Sequence, residues 1–459
     1  MISICWFRRV LRLHDHPALV AAARRGPVIP LVILDPDEAA RRPASAARQA
    51  ASLPHLARDL AEQGSRLVIR RGSAAHVLPQ LLRETGAVSI HATAGFPFAS
   101  DDGLNARLAP AAIHFHSPGD LVSQLRRRPG GGGAYKVFTP FWKALRQSDV
   151  SEPLAAPVLT APQNWPASDP VDWPEARTAM ARGWDILNRH FRAGERQAHD
   201  CLDQFLNAAV AGYALYKEEP WRAGATSELS EALAVGEISA RQIWRRALLA
   251  SHEGVSGVEP FLRQLAWRAF SRELCASFPD MDTHSWRPAW EAFPWRKDNA
   301  DAEAWRRGET GEPLVDAGMR ELYATGRMHN RVRMITASYL TKHLLTDWRV
   351  GVDWFSQTLA DWDPASNAVN WQWVAGCGPD ASPFFRIFNP QTQAAKFDGE
   401  GRYRDYWLKE TSEGAQRFAS AAPRSWRARS SGRRTPDLDG GRRRALAAFA
   451  AMKTPGMAE

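Results

Sequence analysis

The stretch Val28-Ile29-Pro30-Leu31-Val32-Ile33-Leu34 holds seven apolar residues in succession and ends on Asp35. A strand with one face in water alternates apolar and polar side chains. An unbroken apolar run of this length therefore predicts a strand buried on both faces, as in a parallel sheet wrapped by helices. Working outward, shorter strand-like runs occur at 2–7, 66–70, 88–92 and 113–116, with the long run itself spanning 28–35. Helical spacing fills 45–63 and 75–84 between them, which is the βαβ pattern.

Beyond residue 177 the strand signals stop. Segments 177–207, 239–252, 258–278, 312–325 and 331–346 carry apolar residues at helical spacing instead. The sequence predicts an α/β N-terminal domain, a parallel sheet flanked by helices, over 1–130, then an interdomain connector over 131–176. An all-α C-terminal domain follows over 177–420, and a basic tail over 421–459. Glycines 130–133 follow three arginines and a proline but lack the Lys-Ser/Thr of a phosphate loop, so they read as linker. From 148 to 174 the chain is rich in proline and short on periodicity, the pattern of a long connection. Between 423 and 444 stand eight arginines against two aspartates, which suits an arm that touches DNA and equally a solvated chain end.

A net charge of +9, from 59 Lys and Arg against 50 Asp and Glu, is compatible with a polyanionic partner. Cationic faces release condensed counterions from nucleic acid, although the same excess spread evenly serves only solubility. Cys5, Cys201, Cys275 and Cys377 are too scattered for a disulfide framework, a zinc knuckle or an iron–sulfur cluster, so no metal is expected. Arg8 and Arg9 stand where a secretory signal needs its apolar run, and no apolar stretch reaches the ~18 residues of a membrane span. The expectation is a cytoplasmic monomer with no membrane contact.

Fourteen of the nineteen tryptophans lie at or after Trp221. Core packing accounts for most of them, but less well for Trp371-Gln372-Trp373. Two helical positions are about 200° apart, so those indoles point to opposite sides, and one can line a cofactor while the other faces a second compartment. Indole yields one electron readily and is uncharged at rest, so a series of indoles can carry electrons through a protein interior.

Several segments then coincide in order. They are Trp6-Phe7-Arg8-Arg9-Val10-Leu11-Arg12-Leu13-His14-Asp15, Tyr135-Lys136-Val137-Phe138-Thr139-Pro140-Phe141-Trp142, Thr226-Ser227-Glu228-Leu229-Ser230 and Trp267-Arg268. After these come Gly308-Glu309-Thr310-Gly311-Glu312-Pro313-Leu314-Val315-Asp316, Met328-His329-Asn330-Arg331-Val332-Arg333-Met334, Trp371-Gln372-Trp373 and Phe385-Arg386-Ile387-Phe388-Asn389-Pro390. The set resembles the DNA photolyase–cryptochrome family over nearly the whole chain, and most of all a class I-type cyclobutane pyrimidine dimer photolyase.

The resemblance implies that the all-α domain binds FAD without a Gly-x-Gly-x-x-Gly turn, and that the enzyme is a deoxyribodipyrimidine photolyase using light-driven electron transfer from reduced FAD. By motif position, Tyr213, Thr226, Ser227, Leu229, Ser230 and Arg268 resemble its phosphate and ribityl contacts, with Phe261 nearby. Arg333 and Asp361 resemble an ion pair beside the flavin, Asp363 a further contact, and Asn367 the side chain opposite flavin N5. An amide there can bond a protonated N5 without adding charge. Trp371 resembles the flavin-proximal electron donor, Trp348 the middle member and Trp295 the surface exit. A second, antenna chromophore, folate or deazaflavin, is implied by the family, but residues 99–105 carry no convincing folate motif.

The implied partner is DNA containing pyrimidine dimers, flipped out of the duplex into a pocket. Trp267 and Trp373 resemble its aromatic walls, Asn330, Arg331 and Met334 complete it, and Lys217 stands where an arginine often meets DNA phosphate. Gln264 occupies the place of a usual Glu that bonds the thymine carbonyls. Ala269 and Val10 replace residues of usual ion pairs, and Arg327 replaces a usual Trp. His329-Asn330 departs from the His-His of (6-4) enzymes and points to cyclobutane dimers. Two alternatives stay open: a cryptochrome-like blue-light receptor with weakened repair, and a (6-4) photolyase.

Overall fold

The computed structural model describes residues 1–95, 104, 108, 111–122, 134–170, 184–380, 385–427 and 437–453. Five parallel strands, β1 (Ser3–Trp6), β2 (Val28–Leu34), β3 (Val68–Arg71), β4 (Ser89–Thr93) and β5 (Ala112–His116), form one sheet in the order β3-β2-β1-β4-β5. The apolar run of β2 lies between β1 and β3, with Ser3 opposite Val28 and Leu31 opposite Val68, and every residue of it except Ile33 is buried. Helices α1 (Pro17–Ala23), α2 (Pro36–Arg41), α3 (Pro43–Glu62) and α4 (Ala74–Thr85) flank the sheet. Asp35, which ends the run, also starts α2: its Oδ1 accepts from the backbone N–H of Asp37 (3.0 Å) and Glu38 (3.3 Å), two of the four donors that a helix start leaves orphaned.

Among the described residues no regular strand follows β5. The helices that build the second layer are α5 (Phe138–Gln147), α6 (Ser230–Val235), α7 (Ala240–His252), α8 (Val258–Ser277), α9 (Pro313–Thr325), α10 (Asn330–Ser338), α11 (Trp348–Thr358) and α12 (Pro364–Ala375). A late helix, α13 (Leu438–Lys453), packs Phe449 on Phe385 at 4.5 Å. The start of α7 is a reciprocal cap: Gln242 N donates to Ser239 Oγ (2.9 Å) and Ser239 N to Gln242 Oε1 (2.8 Å). The expected single helix over 177–207 is not continuous. Trp184–Asn188 and Glu195–Gln204 are separate helices, and Gly194 between them has φ +108, a backbone state that side-chained residues rarely adopt.

Within 131–176, α5 buries Phe138, Phe141, Trp142 and Leu145 in the helical core, while residues after 150 run along the sheet, Val28 N donating to Thr160 O at 3.0 Å. The glycine run 130–133, most of 99–105, the beginning of 177–207 and much of the basic tail lie outside the described residues. Among the described residues no helix is long and apolar enough to cross a membrane.

The two layers are joined by buried charge. Arg48 on α3 has no exposed surface; its guanidinium meets Glu231 (3.0 Å), Glu237 (2.5 Å) and Ser52 Oγ (2.7 Å). Arg327 pairs with the other oxygen of Glu231 and donates to His190 O at 2.9 Å, so this departure from the family pattern is absorbed into the seam. Asp15 accepts from Ser239 Oγ and Arg241, and Arg12 donates to Gly236 O (2.9 Å). Arg48→Met leaves buried carboxylates without their cation, a change that costs about 3–5 kcal/mol. Urea unfolding should show a loss of that size; a loss below about 1 kcal/mol would mean the seam holds no such charge dependence.

Candidate functional site

A cavity of about 530 Å³ opens inside the helical layer, between the start of α6, α8, α10, α11 and α12. Of the residues assigned to the cofactor, substrate or electron path in the sequence, Thr226, Trp348 and Trp295 do not line it, and all the others do. Val10, Ala269, Arg327 and His329, noted there as departures from or marks of the family pattern, do not line it either. Glu218, Phe355, Trp362 and Ser366 also line it and carry no motif signal of their own. Its size lies in the range of cofactor sites.

Asp363 organises one wall. Its Oδ1 accepts from Ser366 N (3.0 Å) and so caps α12, while Oδ2 accepts from Arg272 (2.8 Å) and Arg268 (3.2 Å). Burial by itself would raise this carboxyl, but the two guanidiniums outweigh it and hold the group well below the ordinary carboxylate range. Arg268 and its neighbours Ser227 and Ser230 present hydroxyls and a cation to the cavity, the chemistry that a pyrophosphate needs. Burial pushes the Tyr213 phenol up to about 12, so it stays a hydrogen-bond donor.

Further along the wall, Arg333 bridges Asp361 (2.8 Å) and the Met328 carbonyl (2.7 Å). Asp361 Oδ1 is buried with no partner among the described residues, an acceptor open to a ligand N–H. Asn367 Nδ2 donates to Val352 O (3.0 Å), which fixes the amide orientation and leaves its Oδ1 as an acceptor in a wall of the cavity. These donors and acceptors fit a flavin dinucleotide in kind.

At the other end, Trp267 stacks on Phe138 at 3.6 Å and 4°, and Trp373 Nε1 donates to Asp380 O (3.2 Å). Both indoles are thus fixed by contacts outside the cavity. Glu218 binds Lys217 and accepts from Arg331 Nε (2.6 Å), and the Arg331 guanidinium lies 4.6 Å from the Phe397 ring centroid. His329 caps α10, its Nδ1 accepting from Arg331 N (3.2 Å), and burial lowers it to about 4. It is a neutral imidazole at physiological pH. Val10 and Ala269, where usual ion pairs are missing, are both buried, Ala269 within the apolar core of the helical layer.

The Trp371 ring rests on the backbone of α11: a Cβ on Gly351 would come within 2.1 Å of it. Phe355 and Trp305 are its ring neighbours at 4.9 and 6.2 Å. Trp348 is fully buried one helical turn before Gly351. The chain before Trp348 runs beside that of Trp295, Arg296 N donating to Leu345 O (2.8 Å) and Asp347 N to Arg296 O (2.9 Å). The three indoles therefore sit on adjoining backbone, from the cavity outward.

Comparison with known proteins gives a consistent picture. Residues 3–159 match the family described as DNA photolyase, and residues 261–439 the FAD binding domain of DNA photolyase. The chain is 41% identical to the deoxyribodipyrimidine photo-lyase of Agrobacterium fabrum, covering 98% of each protein. A solved bacterial class III photolyase from Agrobacterium tumefaciens superposes with a TM-score of 0.84 at 39% identity, covering 98% of this chain and 97% of the other. A Synechocystis cryptochrome does so at 0.83 and 26% identity, covering 98% and 99%.

The depressed Asp363 contributes stability that is present above the ordinary carboxylate range and lost as the pH falls through its own lower value. Asp363→Asn should therefore lower stability at neutral pH and flatten the loss seen below about pH 4. Thermal midpoints measured from pH 7 to pH 2 check this; parallel curves for the two proteins would show that Asp363 is not the responsible group.

Proposed function

The chain belongs to the DNA photolyase family, and on that premise we propose that it repairs cyclobutane pyrimidine dimers in DNA with FAD held in the helical-layer cavity. The observation that carries this reading is the single cavity that joins a phosphate-binding chemistry, at Ser227, Ser230 and Arg268, to two fixed indoles, Trp267 and Trp373. Bound FAD would supply light absorption and the electron that opens the dimer. The work of the chain is to hold, orient and exclude. Tyr213, Ser227, Leu229, Ser230 and Arg268 grip the dinucleotide, with Phe261 as an apolar wall. Arg333 and Asp361 border the ring system, and Asp363 holds Arg268 in place. Asn367 offers its free Oδ1, an acceptor without charge, which suits a protonated ring nitrogen.

Trp267 and Trp373 stack on the extruded bases, a contribution of roughly 1–3 kcal/mol per base. A dimer has lost normal stacking and is cheaper to extrude than intact bases. Asn330 and Met334 close the pocket, and Gln264 donates through its amide to the dimer carbonyls. Lys217 and Arg331 meet phosphate once they leave Glu218. Trp371, Trp348 and Trp295 resupply electrons from the surface. The neutral His329 disfavours the (6-4) reading, since an imidazole held to about 4 is almost never in the protonated, donating form at neutral pH. The motifs resemble class I-type enzymes while the Agrobacterium relative is class III; the proposal rests on the pocket under either subclass. The Gln264 substitution favours one rival, a photoreceptor that has kept photoreduction and lost repair.

Illumination of the reduced holoprotein with a dimer-containing oligonucleotide should restore thymine absorbance. Normal flavin photoreduction without that recovery would favour the photoreceptor. Trp371→Phe should slow photoreduction at least about tenfold, a barrier change of ~1.4 kcal/mol, and an unaltered rate would show that electrons enter elsewhere. Gln264→Ala should lower repair per absorbed photon several-fold; equal repair yields would remove the amide from the mechanism.

A further inference from the structure

We propose that Trp362 is a silenced electron donor, and that the guanidiniums of Arg9 and Arg42 over its ring confine electron entry to Trp371. The inference rests on the reading of the cavity as a FAD site. Trp362 and Trp371 both line that cavity, both are buried, and neither indole N–H has a hydrogen-bond partner among the described residues. Position and solvation give no reason for one to donate and the other to stay silent. Their charged surroundings do.

Arg9 lies 4.7 Å and Arg42 4.0 Å from the Trp362 ring centroid. Both reach it from the sheet domain, Arg9 from the turn after β1 and Arg42 from the residue before α3. Glu38 pairs with both, at 3.2 and 2.5 Å, and with Arg41 at 4.0 Å, so three guanidiniums face one carboxylate and the group keeps a net positive charge. A cation over an indole is attracted to the neutral ring. Removal of an electron places a positive charge on that ring, and attraction turns to repulsion within a low-dielectric interior. Guanidinium does not shed its proton to relieve this, and the Trp362 N–H, like that of Trp371, has no acceptor among the described residues through which the ring could lose its own.

Trp371, by contrast, has Phe355 and Trp305 as ring neighbours and rests on the Gly351 backbone; no guanidinium or ammonium among the described residues stands over it. The Arg349 guanidinium does lie 4.6 Å from the Trp348 centroid, but Glu291 (2.8 Å) and Asp347 (3.2 Å) both pair with it, so no net positive charge is left over that ring. In the balanced step one electron leaves an indole and one reaches the photo-excited oxidised flavin, and no bond forms or breaks. Without Arg9 and Arg42, the same step from Trp362 would place the positive charge on an indole that, unlike Trp371, has no aromatic ring contact among the described residues and does not rest on the helix that carries Trp348. The charge would then recombine before it could be refilled from the surface.

The test is epistatic. In the holoprotein, Arg9→Gln with Arg42→Gln should lower the yield of flavin photoreduction several-fold, and adding Trp362→Phe to that pair should restore it. Lack of restoration would overturn the proposal, as would a loss in Trp362→Phe alone as large as in Trp371→Phe. Normal photoreduction in Trp371→Phe would sink the electron path itself, and this inference with it. A flavin-free measurement covers a variant that fails to fold. After one-electron oxidation of the unmutated protein by azidyl radicals, peptide mapping should find Trp362 modified at least about fivefold less than Trp371. Equal modification would show that the guanidiniums do not protect the ring.

Discussion

The architecture depends on a guanidinium that sees no water. Arg48 projects from the sheet domain into the helical layer and finds Glu231 and Glu237 there, while Arg327 approaches Glu231 from its other side. Desolvating such charges costs several kcal/mol per ion, and the cost is offset only when every partner is in place. The seam therefore tolerates one relative placement of the two layers and penalises others steeply. The cavity wall relies on that placement, because Arg9 and Arg42 from the sheet domain lie against Trp362 on the cavity side of the helical layer. A charge clasp at one place thus fixes an electrostatic environment at another.

Inside the cavity the polar groups divide by end. Arg268, Arg272 and Asp363 form a tied cluster at one side, and Arg333 with Asp361 a second pair further along. Trp267 and Trp373 are anchored from behind, by Phe138 and by Asp380, and their positions do not wait for a ligand. At the mouth Glu218 occupies Lys217 and Arg331 together. On the proposed reading, an incoming DNA phosphate would have to displace that carboxylate, so contact with the DNA backbone alone would bring little net gain unless the pocket beyond were also filled.

Much of this was legible in the residues. The apolar run 28–34 specified a two-faced strand because water-exposed strands cannot afford such a pattern, and helical spacing over 239–252 located α7, which runs Ala240–His252. The break at Gly194 was not, since apolar periodicity continues across it and only the backbone reveals the positive φ. Motif position named most of the cavity wall. It could not name Trp362, whose significance lies in two arginines more than 300 residues away in the chain, or Glu218, whose partners meet only in the fold. Arg327 had no reading as a substitution for Trp until Glu231 appeared beside it. Charge pairs distant in sequence leave no local pattern, and that is where sequence reasoning ends.

The contact of Trp371 with Gly351 makes a bare backbone carbon the bearing surface for the innermost indole. Side chains shift among rotamers, but a helix backbone is held by its own hydrogen-bond ladder and moves as a unit. The gap between that ring and α11 is set with nothing flexible interposed. Electron tunnelling falls off exponentially with separation, so a spacer that breathes would convert thermal motion into a spread of rates. On the electron path proposed above, a glycine at this point acts as a mechanical tolerance, and it would narrow that spread by the simple absence of a methyl group.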